Sequence, residues 1–145
     1  MRFMMLACIC AVATGCENRI EPCLQDKLFC AAPDRWESLA ERRSTEELMR
    51  LQIINWNYYK PPSEAFARVL GRRKEAALDE LIPTMRSNGK YQSDLFFMPV
   101  VSQVVDNGFA FCRSSYPALI LQEIRNEESK KHAQRKFAEV CELHN

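Results

Sequence analysis

Apolar residues recur along most of this chain at steps of three and four, the spacing of one buried face of an α-helix. The clearest stripe is Leu48, Leu51, Ile54 and Tyr58, widened by Trp56 and Tyr59. Ser44 and Glu47 stand ahead of it at capping-box spacing, and Lys60-Pro61-Pro62 ends it. A shorter stripe, Trp36, Leu39 and Ala40, follows Asp34, which is placed to cap the free N–H groups with Glu37 completing the box. Phe66, Val69 and Leu70 form a third, between Ser63 as cap and Gly71 as a left-handed terminator. Ala76, Ala77, Leu78, Leu81, Ile82 and Met85 form a fourth, stopped by Ser87-Asn88-Gly89.

Ser93-Asp94 then opens a continuous apolar run from Leu95 to Val105, closed by Asp106-Asn107-Gly108. Its β-branched content suits a strand, but its length, caps and glycine terminator favour a buried helix. Ser115-Tyr116-Pro117 begins the next helix, where Ala118, Leu119, Ile120, Leu121 and Ile124 cover most of the surface and predict a central position. Asn126-Glu127-Glu128 marks a turn, and a last helix runs towards Leu143 with Ala133, Phe137, Val140, Cys141 and His144 on one face. Residues 16–33 are poorly patterned and punctuated by Pro22 and Pro33. They are expected to be a tether and N-terminal arm, in which Leu24, Leu28 and Phe29 dock as one turn. The pattern therefore predicts one all-α domain over residues 34–145, a single compact bundle of five to seven helices. Scarce glycine and abundant alanine, leucine and long charged residues agree with it.

The first residues follow another pattern. Arg2 is followed by an unbroken apolar run from Phe3 to Ala13, then Thr14, Gly15 and Cys16. A positive start, a short apolar core and a small-residue exit make a secretory signal over residues 1–15. The run is shorter than the roughly 20 residues that cross a bilayer. Ala13-Thr14-Gly15-Cys16 resembles a bacterial lipobox, although leucine is usual where Ala13 stands. The resemblance implies that Cys16 is lipidated and becomes the first residue of the mature chain. Glu17 in the following position leans towards the outer membrane. Ala13 and Gly15 also suit ordinary signal cleavage, which would give a soluble secreted protein. Further on, Leu81-Ile82-Pro83-Thr84-Met85 and Phe97-Met98-Pro99-Val100-Val101 each place proline after an apolar pair. This resembles the first helix of HEAT-type repeats and implies antiparallel helix stacking. The alternative puts both prolines in first turns or at breaks.

Export changes the meaning of the cysteines. Cys8 and Cys10 belong to the leader and Cys16 to the lipid, which leaves Cys23, Cys30, Cys112 and Cys141. An even set in an exported chain points to two disulfides with three possible connectivities. Cys112 and Cys141 lie at nearly equal distances on either side of the turn near Glu127, so antiparallel helices bring them together. The pairing expected is Cys112–Cys141, with Cys23–Cys30 as a local clip on the arm.

Charge narrows the partners. With Arg2 removed, the remaining cations equal the 19 carboxylates, and a neutral chain lacks the basic excess of a nucleic-acid binder. The basic runs Arg68-Arg72-Arg73-Lys74 and Lys130-Lys131-Arg135-Lys136 could meet anionic lipid or an acidic partner, but interleaved acids make them solvated faces. Cys141 and His144 have CxxH spacing, with Glu128 and His132 as further metal ligands. At about 100° per residue, however, His132 and Cys141 fall on opposite helix faces, so no metal site is expected. No nucleophile elbow or phosphate-cradling glycine loop is present in the sequence, and no catalytic residue or cofactor is assigned. Trp56, Tyr58 and Tyr59, running into a rigid Pro-Pro break, are the candidate binding residues, because aromatics at such corners anchor interfaces. Core packing is the competing explanation for them. The function expected is that of an exported, membrane-tethered binding protein of the bacterial envelope, lipid-anchored in the periplasm, which binds a protein partner and in its most specific form is an immunity-type protein that neutralises a toxin. A small secreted enzyme and a structural subunit of an envelope complex are the alternatives.

Overall fold

Residues 17–87 and 95–144 are described by the structure, a computed structural model; for residues 17–19 the description covers the backbone alone. The leader, the expected lipid site Cys16, the terminator Asn88-Gly89 and the Ser93-Asp94 cap lie outside the described residues.

Among the described residues there are eight α-helices: α1 (Glu17–Gln25), α2 (Trp36–Ala40), α3 (Thr45–Tyr58), α4 (Ala65–Arg72), α5 (Glu75–Ser87), α6 (Met98–Asp106), α7 (Tyr116–Glu123) and α8 (Glu127–Leu143). Short 3-10 turns cover Lys27–Cys30, Pro33–Arg35 and Phe111–Arg113, and there is no strand among the described residues. The expected single all-α domain is what forms. The helix beyond the expected five to seven is α1, in the segment read as a tether.

Local chemistry explains most boundaries. The capping box of α3 is complete: the Ser44 hydroxyl accepts from the Glu47 N–H at 3.1 Å, and the Glu47 carboxylate accepts from the Ser44 N–H at 2.9 Å. Asn126 caps α8 by accepting from the Ser129 N–H. Gly108 ends α6 at φ +82°. Two expected devices differ. Asp34 lies in a 3-10 turn and does not cap α2, whose N-cap Arg35 makes no side-chain bond. Gly71 does not terminate α4, which continues to Arg72, and the left-handed residue is Lys74 at φ 51°. Glycine at position 71 serves close approach instead. A Cβ there would meet the Gln103 Cβ at 2.5 Å and the Gln103 carbonyl carbon at 2.7 Å. Accordingly α4 and α6 make the most extensive helix pair of the fold.

The buried centre is α4, where Ala65, Phe66, Ala67, Val69, Leu70 and Gly71 are all enclosed. The expected central helix α7 is peripheral: Ile120 is buried, but Ala118 and Leu119 face solvent. It packs on α5, α8 and the turn before it, so only one side is covered. Pro99 lies in the first turn of α6 whereas Pro83 lies inside α5, so the two prolines do not hold matching places.

Two aromatic clusters fill the core. Phe29, Trp36, Tyr59 and Phe66 meet with ring centroids 5.0–5.8 Å apart. Phe97, Phe111 and Phe137 form the other, extended by Phe96. A disulfide stands at the edge of each. Cys23 and Cys30 have Cα atoms 4.8 Å apart, and Cys112 and Cys141 have theirs 5.7 Å apart. Both expected pairs are therefore present, although Cys112 sits in the 3-10 turn ahead of α7 rather than in a matched helix.

Candidate functional site

One stripe of α3 and one of α5 face each other without closing. On α3 the stripe is Glu46, Arg50, Ile53, Ile54, Asn57 and Tyr58; on α5 it is Glu80, Pro83, Thr84 and Ser87. Each set follows the three-and-four spacing that places residues on one helix face. Gln25 of α1 joins them at the edge of an open groove of about 610 Å3. Pro83 has no N–H to give the Asp79 carbonyl, and the Thr84 hydroxyl donates to the Glu80 carbonyl at 2.7 Å, so this wall departs from a plain helix surface.

The groove is acidic. Arg50 lines it, but its guanidinium is engaged by Asp26 at 2.6 Å. Glu46 and Glu80 have no ion-pair partner among the described residues. Burial, with the like charge of Glu46 second, holds the Glu80 carboxyl above its ordinary range. A cationic group entering here would favour the ionised form of both carboxylates.

Of the three aromatic candidates, Tyr58 lines this groove. Its hydroxyl donates to Glu21 at 2.9 Å and accepts from the Gln25 amide at 2.8 Å, tying α1 to α3. The Glu21 carboxylate beside it pushes the Tyr58 hydroxyl upward in pKa. Tyr59 turns the other way, stacking on Phe29 and meeting Trp36 edge-on. Trp56 is half-buried against the core with the Lys60 ammonium 5.2 Å from its ring centroid. The structure thus separates these three aromatics rather than gathering them at one corner. Nothing in either helix alone reports that the groove carboxylates Glu46 and Glu80 face one another.

The remaining polar clusters are internal ties. Asp26, buried, accepts from the Leu28 N–H and pairs with Arg43 and Arg50. Arg68 and Arg72 of the first basic run are taken up by Glu37, Glu41 and Glu64, which lowers the Glu37 carboxyl through its bond from Arg68. The Tyr116 hydroxyl bonds Asp79, and burial first, then that carboxylate, pushes it far above the usual phenol range, which suits a structural donor. Cys141 is committed to its disulfide and His144 Nε2 meets Asp106 at 3.1 Å. No cluster of three or more metal-ligating side chains occurs among the described residues. No described helix is long and apolar enough to cross a membrane.

These features define a disulfide-bonded helical domain with one acidic groove. Comparison with protein-family models, with curated proteins and with solved structures finds no match for the chain.

Proposed function

We propose that this chain is an exported, membrane-tethered helical binding protein of the bacterial envelope, in its most specific form an immunity-type neutraliser of a toxin, and that its α3–α5 groove receives a basic segment of the protein partner. The observation that carries the reading is the pair of disulfides, in a chain whose residues 1–15 read as an export leader ahead of Cys16. Disulfides form and persist in oxidising compartments, and such a leader delivers a chain to one. The lipid on Cys16 holds the domain at a membrane, with the outer membrane favoured by Glu17. The acidic groove supports the basic partner: an incoming lysine or arginine would meet two unpaired carboxylates over apolar Ile53 and Ile54, the mixture that gives charge selectivity with buried area.

Affinity capture from envelope extract tests the binding claim. Wild-type protein is expected to retain one stoichiometric partner that the Glu46→Lys/Glu80→Lys variant releases. Equal retention by both, or turnover of a small molecule in place of a partner, would defeat it.

A further inference from the structure

Four large apolar side chains stand in solvent among the described residues: Ile20 (61% exposed), Leu24 (80%), Leu119 (37%) and Leu143 (82%). Two of them are neighbours. Ile20 and Leu24 are one turn apart on α1 and share a face. Beside them Glu21 and Gln25, themselves exposed, bond the Tyr58 hydroxyl, and the residue that α1 buries is Pro22. The outward placement of Ile20 and Leu24 is held, because Cys23 is bonded to Cys30 next to Phe29, which is buried in the core.

Chain length says what this face meets. Ile20 follows Cys16 by four residues, which span at most about 14 Å even when fully extended. Leu24 is one further turn along, about 6 Å. With the acyl chains of Cys16 in the hydrocarbon, Ile20 and Leu24 are within reach of the headgroup layer, whose depth on each side is roughly 5–8 Å. Apolar side chains on a short helix settle at that boundary when one face is apolar and the other is polar.

We propose that the Ile20–Leu24 face of α1 lies in the headgroup interface of the bilayer that carries the Cys16 anchor, so that the domain rests on the membrane instead of swinging from a tether. The inference depends on lipidation of Cys16, the tether of the proposed function. The Tyr58 bonds and the Cys23–Cys30 clip pass the orientation of α1 to the rest of the domain.

The test places the photo-crosslinking residue benzoylphenylalanine at position 24, and in a separate chain at 119, in the full-length protein expressed with its own leader. The purified mature protein is reconstituted in phosphatidylethanolamine–phosphatidylglycerol vesicles, irradiated, and read by intact and peptide mass spectrometry. Position 20 serves as a second probe site should substitution at 24 disturb folding. The expected result is acyl mass at Cys16 together with lipid adducts at position 24, exceeding those at 119 by roughly tenfold, the contrast between an interfacial and a hydrated site. Acyl mass with equal adducts at 24 and 119 overturns the inference and leaves the tether standing. Absence of acyl mass overturns both. Adducts from position 24 to residues 1–15 show that an uncleaved leader covers the face, and overturn it as well.

Discussion

Gly71 has no side chain to bury, yet it sets how closely α4 and α6 approach. The atoms a methyl group would meet are the backbone and Cβ of Gln103, which cannot swing aside. Gly71→Ala is therefore expected to destabilise the fold by on the order of 2 kcal/mol, seen as a lower urea midpoint. Glu80 works in the other direction. Its folded-state pKa is raised, so between the unfolded value near 4.5 and the folded one the native state binds more protons, and stability falls as pH rises through that window. Glu80→Gln should raise the denaturation midpoint at neutral pH and leave it unchanged below the unfolded value. A neutral-pH midpoint no higher than wild type would count against the crowded-carboxylate account. Neither role is legible in the sequence, where Gly71 reads as a terminator, because both roles depend on a helix distant along the chain.

Among the elements, α1 and α7 carry the differences between pattern and structure. The helix α1 is fastened by a side-chain tie and a covalent clip, neither of which leaves a periodic stripe. Removing the Tyr58 hydroxyl with Tyr58→Phe should speed amide exchange within residues 20–25 by about fivefold, the value of one modest hydrogen bond. Unchanged exchange would mean that the disulfide alone holds the segment. The helix α7 is apolar nearly all round, but its apolar Ala118 and Leu119 find no element to cover them. Amphipathic pattern states which residues can be buried, and the neighbours decide which are. By contrast, the Ser44–Glu47 box and the Gly108 terminator lie where the local sequence put them, since each depends on only a few neighbouring residues.

For the whole molecule, the two disulfides divide the work by loop length. Replacing Cys112 and Cys141 together by serine should cost roughly 3–4 kcal/mol, and replacing Cys23 and Cys30 roughly 2–3 kcal/mol, on the loop-closure account. Guanidinium denaturation of the two double variants checks the order; a larger loss from the short clip would show that it holds more than its own loop. The same variants bear on compartment, because a chain that depends on both bridges folds fully only where oxidation is available.

By itself the amino-acid sequence determined the class of fold, the Ser44–Glu47 capping box, the Gly108 terminator and the cysteine pairing, because these rest on residues near one another or on periodicity along one helix. Even the Cys112–Cys141 pair needed only a turn near Glu127 and roughly matched arms. Tertiary structure decided that α4 lies at the centre, that Gly71 marks a close approach, that Tyr58 and Tyr59 part company, and that Glu46 and Glu80 share a groove. Those facts depend on which faces of distant helices meet, and packing settles that through shape, after every helix has already shown its apolar side.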